Sequence, residues 1–341
     1  MKIAIIGGTA FIGYWVVNAL LDNGHHILLY NRGKEKFDFN NHVERIFGDK
    51  KNLDSYKSRF KDFKPDIVLD MIPMTEQDAK KVSDTFDDIA GAIVAISSQD
   101  VYSAYGKLIG IEKGNKDKIP LKENAPLRTK LYPYRNDKLQ DKNHWSYTYE
   151  KILVEKVYAK YSSLPATILR LPMVYGPRDK QHRLYENLKR MDDKRPFIII
   201  QKDLAAWKWT RAYVEDVAFG IVKAIESSSG KNRIYNIGEK NPNSMKEWIK
   251  MIGEAAEWKG EIIEKKRDSL PEKMKVKSNP EHDLVTDSSL IRSELSYMEQ
   301  ITREKAIKKT VEWERMNPPQ NIDDYHFDYK EENRIAADYK I

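Results

Sequence analysis

The sequence predicts an α/β protein built on a doubly wound parallel sheet, and three features of its first hundred residues lead to that prediction. Apolar, often β-branched runs recur at residues 2–6, 26–30, 43–47, 66–71 and 91–97. The connections between most of them have helix-like sequences, as parallel strands require. A glycine-rich turn follows the first run and opens the first helix. Ligands of such sheets bind at the carboxyl ends of the strands, where Ser97 and Ser98 lie.

The opening unit, residues 1–32, is predicted to be strand, glycine turn, helix and strand. The helix covers residues 11–21 and ends at Asp22, Asn23 and Gly24. Glycines in the turn leave the backbone open to a pyrophosphate at the helix N-terminus, although an ordinary tight turn has the same pattern. The glycines also interrupt the uncharged stretch and no cleavage site closes it, so we expect a cytoplasmic protein without a membrane segment.

Composition excludes several classes of site. The chain has 341 residues and no cysteine, which excludes disulfides and thiol chemistry, and its seven histidines lack metal-ligand spacing, so we predict no metal. Net charge is +7, with ten basic and five acidic residues between 103 and 146 and an acidic excess from 317 to 341. The basic segment is either solvated surface or faces an anionic ligand.

The rest of the chain predicts a second, smaller lobe. Helices are expected at residues 52–63 and 77–89, and a polar passage to about residue 143 is expected to be a binding loop. A helix over 144–161 and a strand over 165–171 complete a first domain, residues 1–175. Residues 176–341 form a substrate lobe, with segments near 205–238 returning to the first domain. Its predicted elements are helices 184–191, 214–227, 244–256, 288–295 and 303–315 and strands 197–200 and 233–237.

Tyr147 and Lys151 are the first candidate catalytic pair. On one helix, a spacing of four places both side chains on the same face. The Lys151 ammonium would favour the phenolate form of Tyr147, so that the phenol exchanges a proton near neutral pH. Surface residues show the same spacing by chance, so the pair gains weight only from its context.

That context resembles the extended short-chain dehydrogenase/reductases of the NAD(P)-dependent epimerase/dehydratase family. The matching motifs occur in order along most of the chain: GGTAFIG at 7–13, Gly48-Asp49, SSQDVY at 97–102, YTYEKILVE at 147–155, RLPMVYGP at 170–177, VEDVA at 214–218, YNIG at 235–238, then Asp287 and Trp313. The resemblance implies a Rossmann-like nucleotide-binding domain with a smaller C-terminal α/β lobe. It also implies an oxidoreductase in which the nicotinamide coenzyme exchanges a hydride with the substrate.

The resemblance also implies residue roles. Ser98, Tyr147 and Lys151 match the catalytic positions. Coenzyme-binding positions are Gly7, Thr9, Ala10, Phe11, Ile12, Gly13, Asn31, Arg32, Asp49, Lys151, Pro172 and Val174. Candidate substrate residues, which do not all match family positions, are Gln99, Asp100, Trp209 and Arg211, together with Arg135 of the polar passage before Tyr147.

Four departures from the family pattern refine this expectation. Ala10 replaces the middle glycine of the turn, and its methyl group narrows the approach to a pyrophosphate. Asn31, followed by Arg32, replaces the usual ribose-binding acid, which favours NADP over NAD. Trp209 occupies the place of a diphosphate-binding arginine, which makes a standard UDP-sugar less favoured. The connection from Ser98 to Tyr147 is longer than usual and contains the basic passage.

We hypothesise that this passage covers the site and selects an anionic, sugar- or nucleotide-derived substrate. Four cations carry the hypothesis, interleaved with Tyr132, Tyr134 and Trp145: Arg128, Lys130, Arg135 and Lys138. The alternative is a surface excursion whose aromatic side chains pack beneath it.

Two other functions stay open. The turn, Asn31-Arg32 and LYPYR at 131–135 also resemble an atypical branch that includes the chloroplast stem-loop RNA-binding proteins. RNA binding without catalysis is therefore one alternative, and an NADP-sensing regulator without turnover is another. Within the enzyme class, Gln99-Asp100 keeps only one acid of the dehydratase pattern, so epimerase, dehydratase and reductase stay open. By analogy with the family we expect a homodimer.

Overall fold

The computed structural model describes residues 1–35, 39, 43–135, 141–142, 144–161, 163–227, 232–322 and 327–337. The strands are β1 (Lys2–Ile6), β2 (His26–Asn31), β3 (Val43–Phe47), β4 (Ile67–Asp70), β5 (Ala92–Ser98), β6 (Ala166–Leu171), β7 (Met173–Tyr175), β8 (Phe197–Gln201), β9 (Lys208–Trp209), β10 (Arg211–Tyr213), β11 (Arg233–Asn236), β12 (Asn243–Ser244) and β13 (Glu261–Lys265). The helices are α1 (Phe11–Asp22), α2 (Lys57–Phe63), α3 (Glu76–Phe86), α4 (Ser103–Leu108), α5 (Trp145–Thr148), α6 (Lys151–Tyr158), α7 (Tyr185–Asp192), α8 (Lys202–Ala206), α9 (Val214–Ser227), α10 (Met245–Ala255), α11 (Ser289–Leu295), α12 (Arg303–Met316) and α13 (Tyr329–Ala336). Short 3₁₀ helices occur at Lys50–Tyr56, Gln99–Val101, Arg267–Ser269 and Glu272–Met274.

Seven parallel strands form the central sheet in the order β11, β6, β5, β4, β1, β2, β3, which confirms the predicted fold class. From β1 the chain first proceeds to β2 and β3 on one side, then returns to β4 on the other. This reversal opens a crevice outside the carboxyl ends of β1 and β4, where doubly wound sheets bind ligands.

Alternating side chains of β1 bury opposite faces of the sheet. Ile3 and Ile5 join a core that includes α1 and α9, whereas Ala4 and Ile6 join a core that includes α2, α3 and α6. Because both faces are covered, the strand is apolar at nearly every position rather than at every second one. The apolar runs in the first hundred residues therefore predict the strands of the sheet clearly.

The C-terminal elements add a smaller layer beside the sheet. β8 and β13 pair in parallel, and α10 packs against α7, α8 and α12. The final helix, α13, which the sequence did not predict, is tied to this layer by the ion pair between Arg190 and Glu332 at 2.7 Å. β11 returns from this half of the chain to pair with β6. Across the described ranges, no helix is long and apolar enough to span a bilayer.

Candidate functional site

The turn after β1 has the geometry of a phosphate-binding turn. Gly7 and Gly8 have φ angles of 95° and 85°, which favour glycine. A Cβ on Gly13 would lie 2.4 Å from the Cα of Gly8, so this glycine permits the helix to approach the turn. Ala10 is the exposed N-cap of α1, and no described side chain caps the helix. The free N–H groups of the first turn therefore fit an anion such as the pyrophosphate of a dinucleotide.

Two of the predicted coenzyme-binding residues, Asn31 and Asp49, accept hydrogen bonds from the backbone two residues further on. The Asn31 side-chain oxygen accepts the N–H of Gly33 at 2.7 Å, and Arg32 is exposed. The Asp49 carboxylate accepts the N–H of Lys51 at 2.9 Å and caps a 3₁₀ helix. Arg32 is thus the cation at the end of β2 that is presented to solvent.

Asp70, the last residue of β4, forms a buried ion pair with Lys50. The sequence analysis did not predict this pair. The Lys50 ammonium donates to both oxygens of Asp70 at 3.0 and 2.9 Å, and the Tyr158 phenol donates to Asp70 at 2.6 Å. The next residues reach the glycine turn, since a Cβ on Gly7 would lie 3.3 Å from the side chain of Ile72. The signal available in the sequence was an aspartate ending an otherwise apolar strand.

Lys151 joins the loop that follows β4 to the strand β5. It is the first residue of α6 and is 4% exposed. Its ammonium donates to the carbonyls of Pro73 at 2.8 Å and Ile96 at 2.9 Å, which uses two of its three N–H donors. Desolvation by burial lowers the pKa of Lys151 to about 8, against the opposing charges of Asp100 and Asp70.

The prediction of one helix over residues 144–161 is wrong. α5 ends at Thr148, Tyr149 and Glu150 are extended, and α6 begins at Lys151. Tyr147 and Lys151 therefore lie on separate helices, and the expected shared face does not exist. Tyr147 is half-buried, with its ring 4.4 Å from the guanidinium of Arg135. Its catalytic role stays a prediction that rests on the motif.

Glu150 explains the interruption. Its carboxylate accepts the N–H of Ile152 at 2.9 Å, and so caps α6. The same carboxylate is paired with Arg128 at 3.1 Å and accepts the N–H of Tyr132 at 2.5 Å. A residue that caps a helix and binds a neighbouring segment is held outside the helix, so the long-range ion pair overrides the local helical pattern.

These contacts correct part of the hypothesis for the basic passage. Arg128 is 3% exposed and committed to Glu150, so it does not face a substrate. Arg135 lies 3.5 Å over the Tyr132 ring and donates to the Tyr147 carbonyl at 2.6 Å. Lys130 is exposed. Lys138 lies outside the described residues.

The structure gathers Ser98, Asp100 and Tyr149 at the carboxyl end of β5. The Tyr149 phenol donates to Asp100 at 2.7 Å, and the Ser98 hydroxyl accepts the N–H of Asp100 at 3.2 Å. The Tyr134 phenol is 3.1 Å from Asp100. Burial raises the pKa of Tyr149 well above its ordinary value. The tyrosine that binds Asp100 is therefore two residues beyond the one that the motif selects.

Among the predicted substrate residues, Gln99 and Arg211 both contact Trp209. With its amide oxygen turned toward the indole, Gln99 accepts the N–H of Trp209. Arg211 is buried, donates to the carbonyls of Trp209 and Asn243, and burial lowers its pKa to about 10. Pro172 and Val174 are buried, and Val174 pairs with Ala212 in the ladder of β7 and β10.

A family model and several solved structures match this chain. The sequence model of the NAD-dependent epimerase/dehydratase family matches residues 3–238. A segment of 83 residues, 20% of this chain, is 32% identical to chloroplast stem-loop binding protein of 41 kDa b from Arabidopsis thaliana. The match spans 22% of that protein's length.

Solved structures of similar fold include sugar-nucleotide epimerases. UDP-glucose 4-epimerase from Thermotoga maritima, with UDP-glucose, is 20% identical with a TM-score of 0.66, over 93% of this chain and 99% of that one. UDP-glucose-4-epimerase from Stenotrophomonas maltophila, with NAD and formylated UDP-arabinopyranose, is 15% identical with a TM-score of 0.70, over 93% and 98% of the chains. At these identities the likeness shows the fold.

Proposed function

Because the chain belongs to the NAD-dependent epimerase/dehydratase family, we propose that it is an NAD(P)-dependent oxidoreductase of the epimerase or dehydratase type, acting on a small anionic substrate. The coenzyme, when bound, takes and returns a hydride at its nicotinamide ring. Residues 1–175 would bind it, and residues 176–341, with segments near 205–238 returning to the first domain, would contribute the substrate side. Ser98 would orient the substrate oxygen, and a tyrosine of the YTYEK segment, Tyr147 by motif, would exchange its proton.

The observation that carries this proposal is the position of Lys151. A buried ammonium costs free energy unless its surroundings compensate, and here two carbonyls hold it, that of Ile96 in β5 and that of Pro73 beyond the end of β4. Its third N–H donor is suited to a hydroxyl group of the nicotinamide ribose. The glycine turn on the other side of the crevice suits the pyrophosphate.

Coenzyme fluorescence tests this assignment. We expect Lys151→Met to weaken coenzyme binding about 10-fold or more, because a charge-assisted hydrogen bond contributes about 1.5–3 kcal/mol. Lys156→Met, an exposed lysine on the same helix, is the matched control. Absence of binding by the unmodified protein at millimolar coenzyme would refute the proposal.

We propose NADP as the preferred coenzyme. The support is the exposed Arg32 at the end of β2, with Asn31 in place of an acid that would repel a 2′-phosphate. Arg32→Ala should weaken NADP binding roughly 10-fold and leave NAD binding nearly unchanged. Lys34→Ala controls for a general loss of positive charge. Tighter binding of NAD than NADP by the unmodified protein would reverse this preference.

For the substrate, we propose an anionic, sugar- or nucleotide-derived alcohol or ketone. The solved epimerases named above hold UDP-sugars. In this chain Trp209 replaces the expected arginine, and Arg211 is buried against carbonyl groups. We therefore expect phosphorylated or carboxylated sugars to be turned over faster than UDP-sugars. The measurement is conversion of each substrate to an epimerised or dehydrated product across a panel of both classes, and equal or faster turnover of UDP-sugars contradicts it.

RNA binding is the second candidate, and the partial match to a stem-loop binding protein favours it. Trp145 is 54% exposed, and Arg135 is exposed over the Tyr132 ring, so a ring for base stacking and a cation for phosphate contact are both accessible. A salt-dependent shift of a stem-loop RNA by the whole chain, without coenzyme turnover, would select this function. If the protein binds coenzyme but neither turns over a substrate nor binds RNA, an NADP-sensing regulator would be indicated instead. We also propose a homodimer, which light scattering would test.

A further inference from the structure

Arg135, an exposed cation of the basic passage, is held in one orientation by two tyrosines. Its guanidinium carbon lies 3.5 Å from the ring centroid of Tyr132 and 4.4 Å from that of Tyr147. Its Nε atom donates to the Tyr147 carbonyl at 2.6 Å. A guanidinium that is stacked and tethered in this way loses little further freedom when it binds a ligand, so its orientation favours recognition.

The terminal nitrogens of Arg135 are available to a ligand. Among the described residues, Nη1 and Nη2 have no hydrogen-bond partner, and the side chain is exposed. These two nitrogens carry four N–H donors in one plane. Such a fork binds a carboxylate or a phosphate through two parallel hydrogen bonds, which a lysine ammonium cannot form.

The segment that carries the fork is anchored to the interior. Arg128 pairs with Glu150 at 3.1 Å and donates to the carbonyl of Lys130 at 2.5 Å. The N–H of Tyr132 donates to the same Glu150 carboxylate at 2.5 Å, and the N–H of Arg135 donates to the Tyr132 carbonyl at 3.0 Å. The turn over residues 132–135 therefore places the fork beside Tyr147 through contacts within the folded chain.

The other described cations of the hypothesised anion contact lack this combination of exposure and orientation. Arg128 is buried and paired. Lys130 is exposed, but none of the described aromatic rings stacks on it and its ammonium is a point charge on a flexible stem. The structure thus narrows the contact, within the described residues, to Arg135.

We propose that Arg135 binds a carboxylate or phosphate group of the substrate, and that this group lies next to the carbon whose hydroxyl Tyr147 deprotonates. The proposal rests on the oxidoreductase function proposed above. A general base must come within about 2.6–3.2 Å of the reacting oxygen, so that oxygen lies at the Tyr147 phenol. The fork lies against the same ring. The substrate class is therefore a sugar acid or sugar phosphate whose anionic group is close to the oxidised carbon.

Calorimetric titration in the presence of saturating NADP measures this contact without turnover. The probes are glucuronate and glucose 6-phosphate, with glucose as their neutral counterpart. We expect Arg135→Met to weaken binding of both acids about 10-fold or more and to change glucose binding by less than about twofold. Arg135→Lys should lose part of the affinity, because it keeps the charge without the fork. Arg59→Met, at an exposed arginine of α2, is the matched control.

The orienting role of Tyr132 has its own test. Tyr132→Leu removes the ring beneath the guanidinium and should weaken binding of the two acids about threefold, the size of a cation–π contact. In an Arg135→Met background the same change should have no further effect, since no guanidinium is left to orient. An equal loss in both backgrounds would mean that Tyr132 supports the fold and does not act through Arg135.

Kinetics locate the anionic group. For each acid that is turned over, product analysis identifies the carbon that reacts. Arg135→Met should raise KM more than it lowers kcat for acids whose anionic group is next to that carbon. Glucose 1-phosphate and glucose 6-phosphate carry the same charge at different positions, so only one of them should depend strongly on Arg135. Equal dependence of both would overturn the placement.

The outcomes separate this contact from the proposed function. Binding of the two acids that is no tighter than that of glucose, or that is unchanged in Arg135→Met, would overturn the contact and leave the oxidoreductase function standing. Acid binding that depends on Arg135 in a protein that binds no coenzyme would retain the anion contact and overturn that function. If Arg135→Met weakens binding of a stem-loop RNA but not of the acids, the fork serves RNA phosphates and the proposal is overturned.

Discussion

The glycine turn at residues 7–13 and the cluster around Asp100 follow strands of the same sheet, yet they are built in opposite ways. The Asp100 cluster consists of Ser98, Asp100, Arg128, Tyr134, Tyr149, Glu150 and Lys151. The turn depends on the backbone of seven consecutive residues, four of which are glycine or alanine. The cluster brings together polar side chains from three separate segments, which pair with one another in the interior. Consequently a substitution in the turn should lower stability by steric collision or backbone strain. A substitution in the cluster should lower it by leaving a buried polar partner without its hydrogen bond or ion pair.

The largest effect should come from breaking the ion pair inside the cluster. Arg128→Met leaves the Glu150 carboxylate buried without its cation, which typically costs about 3–5 kcal/mol of unfolding free energy. Urea denaturation of the whole chain measures this loss. Lys130→Met, which removes an exposed cation two residues away, should change stability by less than about 0.5 kcal/mol. Equal midpoints for the two variants would mean that the cluster is not held by this pair.

Lys151 gives the cluster a dependence on pH that the turn lacks. The folded protein releases the Lys151 proton near pH 8, whereas the unfolded chain holds it to about pH 10.5. Between these values the unfolded chain binds more protons, so this residue makes stability rise with pH, by about 3 kcal/mol at most. Lys151→Met should lose that rise, while Lys156→Met should keep it. The difference in unfolding free energy between pH 8 and pH 10.5 for each protein is the measurement, and parallel curves would contradict the assignment.

In the turn, Gly13→Ala should act by collision alone. The added Cβ would meet the backbone of Gly8 at 2.4 Å, and backbone cannot move aside as a flexible side chain does. We expect a loss of about 1–3 kcal/mol in unfolding free energy and weaker coenzyme binding. Gly24→Ala separates collision from backbone strain as the cause of the loss. Gly24 has a φ of 75°, which strains alanine, but no atom lies within 4 Å of an added Cβ. A smaller loss in Gly13→Ala than in Gly24→Ala would show that the turn has room.

The same contrast explains what the sequence could predict. The strands of the sheet were predicted within a residue or so, because burial on both faces makes the inner strands nearly all apolar. The helix over 144–161 was predicted wrongly because its interruption depends on Glu150 binding Arg128, a contact that no local pattern encodes. For the same reason the motif does not indicate that the extended backbone at Tyr149 and Glu150 directs the Tyr149 phenol to Asp100. The catalytic role of Tyr147 stays a prediction. The pairing of Lys50 with Asp70 was missed because it also joins distant segments.

Ala10→Gly should produce the smallest effect and refine the account of the turn most directly. Ala10 is the exposed N-cap of α1 and the one departure from glycine among the three spaced positions of the motif. Removing its methyl group should let a pyrophosphate approach more closely and tighten coenzyme binding about threefold, or roughly 0.7 kcal/mol. The same change gives the unfolded chain more freedom and should cost about 0.5 kcal/mol of stability. Tighter coenzyme binding together with a lower melting temperature in this variant would therefore show that the methyl group obstructs the ligand. Weaker binding would instead show that α1 needs this side chain to hold its first turn in place.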